Sequence, residues 1–456
     1  MATDPSGVEA ASRRQALEDF QRDIEGVACL TADDELRARA RDYYWYSPVL
    51  EELLKGCRAD IVVLPATEEE VVRVAGAAAR HRLHLTIRGG GTGNYGQAVP
   101  LRGGVVLDMT HLNRIVQIEP GAVRVQAGAY LEAVLDAVRT TGQQLMIYPS
   151  TMSIATVGGF IAGGSAGIGA VRHGILRESG TMRSLRVVTL EESPRTLTLT
   201  GPDIELVHHA WGTNGIIIEL DLALVPAVDW LQCIALFPSY VDVMRFGGAV
   251  LEAGIDVFLL SAVDRRFAPY YADFGYRFDG SADAMFSMVN PKDQDRFAAL
   301  VSVHGGRLGM CMTPQDHTAS GLPPVHECAY NHTTLRALKV DRSWTYLQMV
   351  VPPERAPELV AVQMDRYGDE MLMHHEFARL AGKPRISGLV ALQFLDEERL
   401  DEVMAELVQD GCHVMNAHVN TLEKGGRKEM GAEELRFKRS VDPLNLMNPG
   451  KILSLQ

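Results

Sequence analysis

Along residues 58–110 short apolar runs alternate with amphipathic ones. IVVLP at 61–65 predicts a strand. Thr67 with Glu70 three residues on predicts a capping box, and 68–80 predicts the helix that follows it. Leu83, Leu85 and Ile87 alternate with polar neighbours, which predicts a strand over 84–88. Further strands are predicted over 104–108 and 123–125, and a helix over 131–140 ends at Gly142. Strands alternating with helices predict an α/β unit. Residues 184–226 add two or three strands and stop at Pro226.

The flanking regions read differently. Residues 1–57 predict helices over 15–24 and 33–43, with mixed charge and few breakers, and Pro48 interrupts near the end. The cluster Tyr43, Tyr44, Trp45, Tyr46 is either a packing anchor or a contact with a ligand. Residues 227–412 predict helices over 241–253, 291–302, 357–367 and 397–407, with strands over 344–351 and 387–394. Two polar clusters stand out there. One is Tyr330, Asn331, His332, Thr333 and Thr334. The other is His374, His375 and Glu376, which follows a helix-like stretch. Each reads equally as solvated surface or a satisfied histidine on one hand, or as a site on the other, since histidine serves many roles.

Two glycine-dense, acid-free stretches carry the chemistry: LHLTIRGGGTGNYG at 83–96 and PSTMSIATVGGFIAGGSAGIGAVRHG at 149–174. Glycine permits positive φ and lets backbone N–H groups approach a ligand. Successive N–H groups in such loops form nests for anions. Arg88 opens the first loop, and Thr92, Asn94, Ser150, Thr151 and Ser165 add neutral donors. Two such loops predict a long anionic ligand gripped twice. Gly91, Gly93 and Gly96 form a G-x-G-x-x-G, but Pro100, Gly103 and Gly104 deny it the helix a Rossmann unit needs. Gly163, Ser165 and Gly167 form a G-x-S-x-G, but GGFIAGG is too glycine-rich for the strand before a nucleophile elbow.

The loops, their order and their spacing resemble the FAD-binding domain of the vanillyl-alcohol oxidase and p-cresol methylhydroxylase (PCMH) superfamily. The residues that carry the resemblance are ADIVVLPATEEEVVRVAGAAARHRLHLTIRGGGTGNYGQ, GGVVLDMTHLNRI, VRVQAGA, ATVGGFIAGG, WGTNGIIIELDLALVP and the closing VDPLNLMNPGKIL. It covers residues 58–226 and the segment after 413. The resemblance implies an α+β fold: a two-subdomain PCMH-type FAD-binding domain plus an α+β substrate cap domain. The implied organisation is an N-terminal helical segment at 1–57, the FAD domain at 58–226, the cap at 227–412, and a return to the FAD domain at 413–456.

The implied cofactor is FAD. Its expected contacts in the first loop are Arg88, Gly89, Gly90, Gly91, Thr92, Gly93, Asn94 and Gly96. Those in the second are Pro149, Ser150, Thr151, Thr156, Val157, Gly158, Gly159, Ala162, Gly163, Gly164, Gly167, Gly169, His173 and Gly174. Gly215, Ile216, Ile217, Asn448 and Lys451 complete the set. Relatives with covalent flavin carry His where this chain has Thr92, or Cys where it has Ile154, so non-covalent FAD is expected.

The segment HVMNAHVNTLEKGGRK resembles a pattern in the flavin-dependent D-2-hydroxy-acid dehydrogenases. His413, His418, Asn420 and Glu423 fit it. Lys424 stands where that pattern has a histidine, and its ammonium would repel a cation, so no metal is expected. The resemblance implies an oxidoreductase that takes a hydride from a carbon bearing a hydroxyl, in a 2-hydroxy acid, sugar or aromatic alcohol. A base must lie within hydrogen-bond reach of that hydroxyl. His418 is the first candidate and His332 the second. Asn420, Asn331 or Tyr330 would orient the oxygen, and Arg307, Arg336, Arg342 or Arg385 would clamp a carboxylate. An NADPH-dependent flavin reductase and a catalytically inactive flavin-binding protein are the alternatives.

Composition narrows the partners. The 456 residues exceed one core and predict two domains. A net charge of −14 argues against nucleic-acid and anionic-membrane partners. The N-terminus has no apolar signal region, and no apolar run reaches the length of a membrane span. The six cysteines include no CxxC, which predicts reduced thiols in a cytoplasmic protein. The expected partner is a small-molecule substrate, and a homo-oligomer is compatible with the chain.

Overall fold

The computed structural model describes residues 5–164, 166–178 and 180–455. Ile61–Leu64, Val105–Asp108 and Leu85–Arg88 form a parallel core in that order, with Ala28–Leu30 antiparallel at one edge. The first two of these runs are buried at every position, as parallel strands covered on both faces must be. The helix Glu68–Arg80 begins at Thr67, whose Oγ1 accepts from Glu70 N–H at 3.2 Å. Glu70 in turn accepts from Ala66 N–H at 2.7 Å, one residue before the expected partner. Pro48 does not interrupt a helix. It starts one, Pro48–Leu54, with Ser47 as the cap. The first helical position needs no N–H donor, so proline fits there.

A second sheet is built on the long strand Ile216–Pro226, flanked antiparallel by Ala122–Gln126 and Met182–Val188. Ile115–Glu119 and Thr196–Thr200 lie outside these two, and Gln143–Leu145 pairs with the end of the long strand. GGFIAGG is neither strand nor loop. It forms the helix Val157–Gly163, capped by Thr156.

The cap is an eight-stranded sheet, with His374–Leu380 and Lys383–Gly388 among its strands. In the strand Leu231–Phe237, Ile234 and Leu236 join the apolar cluster that holds Phe267, Phe274 and Phe286. Cys233, Ala235 and Phe237 face helices such as Tyr240–Glu252. The alternation follows from the two-residue period of a strand. His374, His375 and Glu376 follow the helix Ala356–Tyr367 in the chain but are not solvated surface. They lie on a central strand and are completely buried. The predicted strand over 344–351 divides into Trp344–Tyr346 and Gln348–Val351, which belong to different sheets.

The C-terminal segment touches both halves. His413–Met415 pairs with Gln348–Val351 in the cap sheet. Farther on, Leu85 N–H donates to Leu446 O at 2.9 Å and Asn448 N–H to Leu85 O at 2.7 Å. No helix among the described residues is long and apolar enough to cross a membrane.

Candidate functional site

The two glycine loops meet face to face. A Cβ on Gly90 would lie 1.8 Å from Ile154 O, and one on Gly89 would lie 2.1 Å from Thr156 Oγ1. On Gly158 it would lie 2.7 Å from the Ala127 Cβ. Gly91 sits at φ +66°, where a β-branched side chain is strained. Glycine at these positions is what lets the chains interlock. Between them runs a narrow cavity of about 90 Å³ lined by Gly89–Gly93, Gly158, Gly159, Ala162, Gly163, Gly215 and Ile217. It adjoins a cleft of about 480 Å³ that reaches the cap, and Thr92, Gly93, Gly159 and Gly163 line both.

These walls fit a dinucleotide. Gly163 has open space where its Cβ would stand. Asn94 Nδ2 and Trp211 Nε1 are buried donors without a partner, in residues that line the cleft and the narrow cavity respectively. Buried donors call for acceptors, which phosphates, ribose and ring carbonyls would supply. Among the described residues the one acidic residue of the narrow cavity, Asp42, is turned to the protein. Its carboxylate accepts from Tyr44 N–H at 2.9 Å and Ala98 N–H at 3.2 Å, and burial pushes its pKa up to about 6.

The expected cofactor residues divide into a lining and a support. Thr92, Asn94, Pro149, Ser150, Thr151, Thr156 and Gly164 join the glycines in the lining. Ser165 lies outside the described residues. The others do not reach either cavity. Arg88 is buried behind Gly91 and donates to the backbone carbonyl oxygens of Arg39 and Arg41. Val157 and Ile216 are core residues. Gly96 abuts Leu54, and Gly167 and Gly169 allow close passage of the Tyr148 and Met146 carbonyls. Gly174, at φ +86°, ends the helix Ala170–His173.

His173 stacks its edge on Phe258 at 6.1 Å, and burial pushes its pKa down to about 4. Asn448 Nδ2 donates to Gln97 O and Trp211 O, and Lys451 Nζ to Gly96 O at 2.5 Å. These two residues brace the first loop from behind.

The catalytic expectations need one clear correction. His418 is buried away from the cleft. Its Nδ1 lies 2.8 Å from Ser47 Oγ and its Nε2 lies 3.0 Å from Tyr346 O. Both nitrogens are occupied, and burial holds the pKa at about 4. Asn420 packs near Gly96 and also does not line the cleft. His413, His418 and Glu423 do not converge, because Glu423 accepts from Leu453 N–H. Among the described residues no three His, Cys, Asp or Glu side chains are grouped to hold a metal ion.

His332 and Tyr330 do line the cleft, with Asn331 between them. His332 Nδ1 is 2.9 Å from Glu327 Oε2. Burial pushes the Glu327 carboxyl up, but His332, His326 and Arg336 outweigh it and hold the carboxyl below its usual range. Tyr330 stands at φ +51°, ψ −141°, a conformation costing a non-glycine residue on the order of 1–3 kcal/mol.

Of the four arginines, Arg385 alone lines the cleft. Arg336 is paired with Asp273, and Arg342 lies over Trp45 beside Glu51. Arg307 is exposed on the strand Arg307–Met312. Tyr43 and Tyr46 of the aromatic cluster line the cleft, while Tyr44 is core. Arg427 was not singled out from the sequence. It covers the Tyr95 ring at 3.5 Å, and Tyr95 OH donates to Gln348 Oε1 at 2.6 Å. The glycines around it in EKGGRK were the available signal.

Comparison with known proteins agrees with this geometry. The FAD binding domain family matches residues 59–197. An uncharacterized FAD-linked oxidoreductase of Mycobacterium tuberculosis is 28% identical over 44% of this chain and 45% of its own length. That match therefore spans less than half of the relative. A probable mitochondrial D-lactate dehydrogenase of Danio rerio is 26% identical over 89% of this chain and 86% of its own. The glycolate oxidase subunit GlcD of Bacillus subtilis is 24% identical over 87% and 89%.

Among solved structures, alkyldihydroxyacetonephosphate synthase has TM-score 0.74 at 16% identity, covering 95% of this chain and 85% of its own. Substrate-bound p-cresol methylhydroxylase has TM-score 0.70 at 16% identity, covering 97% and 96%. At this identity the structures speak for the fold. With the matched family, the glycine-lined cradle and this fold together, residues 59–197 are an FAD-binding domain, carried on a fold of the PCMH type.

Proposed function

We propose that the protein is an FAD-dependent oxidoreductase that oxidises a small 2-hydroxy acid. Arg385 carries the reading. It lines the cleft, its pKa is lowered by burial, and among the described residues no hydrogen bond or ion pair engages its guanidinium. A half-buried, unpaired guanidinium is suited to a carboxylate, which it can hold by two parallel bonds. The names of two relatives, a D-lactate dehydrogenase and a glycolate oxidase subunit, support the same substrate class.

Bound FAD, expected to be non-covalent because Thr92 and Ile154 offer no linking nucleophile, would accept the electrons. The chain's own groups do the rest. Arg385 fixes the carboxylate end of the substrate. His332, with Nδ1 held by Glu327, takes the hydroxyl proton at Nε2. Tyr43, Tyr46 and Tyr330 close the cleft with aromatic surface and limit water.

The test is anaerobic bleaching of the purified yellow protein with D-lactate, glycolate, sugars, aromatic alcohols and NADPH. Bleaching by the hydroxy acids is the expected result. Arg385→Ala should then raise KM roughly ten- to a hundredfold for a carboxylate substrate, as loss of a charge-assisted pair does. Bleaching by NADPH alone, or an unchanged KM in Arg385→Ala, would reject the reading.

A further inference from the structure

Tyr330 is strained, and the strain has an identifiable anchor. Its backbone N–H donates to Glu376 Oε1 at 2.6 Å. Glu376 is completely buried on the central cap strand. The same Oε1 accepts from Ser261 Oγ at 2.8 Å and lies 3.0 Å from His374 Nε2. His374 Nδ1 is 3.3 Å from Leu389 O, and Ser261 faces Glu376 across paired strands. Two buried polar side chains thus converge on the oxygen that receives one backbone N–H. On its other side Tyr330 reaches across the cleft, and its hydroxyl donates to Gly167 O in the second glycine loop at 2.6 Å. The helix Asn331–Val340 starts at the next residue, and its first turn carries His332.

We propose that Glu376 is a positioning residue, which holds Tyr330 in its strained conformation and thereby fixes both the strap to Gly167 and the presentation of His332 to the cleft. A glutamate buried for core packing alone would have no reason to accept the N–H of a positive-φ residue on the cleft wall. Strain of this kind persists only where surrounding groups over-determine it. The geometry requires an acceptor at Oε1, which a carboxamide also supplies. It requires no acceptor where residue 330 is glycine, because glycine takes positive φ without cost. The inference rests on the proposed function only in treating the cleft as the reaction chamber.

The experiment is a double-mutant cycle on the holoenzyme with Glu376→Ala, Glu376→Gln and Tyr330→Gly. Visible circular dichroism of the bound flavin is read together with kcat and KM. Glu376→Ala should alter the flavin dichroism and lower kcat roughly ten- to a hundredfold with little change in KM, because misplacement near the reacting atoms costs rate. Glu376→Gln should restore kcat to within about threefold and return the wild-type dichroism, because its amide oxygen accepts the same N–H. On the Tyr330→Gly background, Glu376→Ala should cost less than about twofold further.

Equal losses on both backgrounds would overturn the inference. So would a Gln variant as impaired as the Ala variant, a test that remains if Glu376→Ala does not fold. The dichroism needs no substrate. If no hydroxy acid bleaches the flavin but the dichroism follows this pattern, the proposed reaction fails and the positioning role stands.

Discussion

The cleft has two walls made by different means. The cofactor side is main chain: glycines on 83–96 and 149–174 interlock so closely that a Cβ on Gly90 would strike Ile154 O at 1.8 Å. The cap side is side chains brought from separate elements: Tyr43, Tyr46, Tyr330, His332, Gln348, Arg385 and Arg427. A main-chain wall depends on what is absent, and one added methyl can destroy it. A side-chain wall depends on what is present. Single changes there should alter chemistry and leave the cofactor bound.

The sharpest test of the first half uses two glycines that differ in surroundings. Gly90→Ala should abolish flavin retention, because the added carbon meets backbone that cannot move aside. Gly163→Ala separates cofactor loss from misfolding. Its Cβ would enter open space in a helix and line both cavities. The apoprotein should be unchanged or more stable by about 0.5–1 kcal/mol, while flavin content falls. Absorbance at constant protein measures occupancy, and thermal melting of the apoprotein measures stability. Full flavin content in Gly90→Ala would mean the cradle is not where the cofactor lies.

On the other wall, His332→Gln should retain flavin and slow its reduction by roughly a hundred- to ten-thousandfold, the usual range for a general base. Anaerobic stopped-flow with the best hydroxy acid measures it. A wild-type rate would remove His332 and leave the proton to a cleft group outside the Tyr330–His332 segment. Loss of flavin together with rate would erase the distinction between the walls.

The same contrast explains what the sequence revealed. Glycine spacing is local, so both loops, the Thr67 cap and the helix Glu68–Arg80 were legible from short stretches. The arginine that reaches the cleft was one of four equivalent candidates, because only folding brings the strand Lys383–Gly388 beside the loops. The burial of His374, His375 and Glu376 was illegible for a related reason: a polar triplet looks like surface until its partners, here Ser261 and Tyr330 N–H, arrive from distant segments. Support residues were read as contacts for the opposite reason. Arg88, Asn448 and Lys451 sit in the recognisable motifs, yet Arg88 Nη1, Asn448 Nδ2 and Lys451 Nζ donate to backbone carbonyls behind the loop.

His418 gives the smallest effect and the cleanest sign. A neutral ring satisfies every contact: Nε2–H donates to Tyr346 O, and Nδ1 accepts from the Ser47 hydroxyl, which itself accepts from Leu50 N–H. Protonation would set two donors against each other at Ser47. Burial, aided by Arg427, holds the folded pKa at about 4, against an ordinary 6.5. Between those values the unfolded chain binds more protons than the folded one, so stability falls as pH drops from 6.5 toward 4. The slope for one such group is about 1.4 kcal/mol per pH unit.

His173 and His326, at about 4, and His375, at about 3, act with the same sign. His418→Gln keeps a donor and an acceptor but cannot titrate. Urea unfolding at several pH values should therefore show a shallower acid limb in this variant, by about one proton's worth of slope, with the rate of flavin reduction at neutral pH close to wild type. An unchanged acid limb with a slow reduction would mean that His418 is free to exchange protons, and the base would belong to the cofactor side of the cleft rather than to the cap.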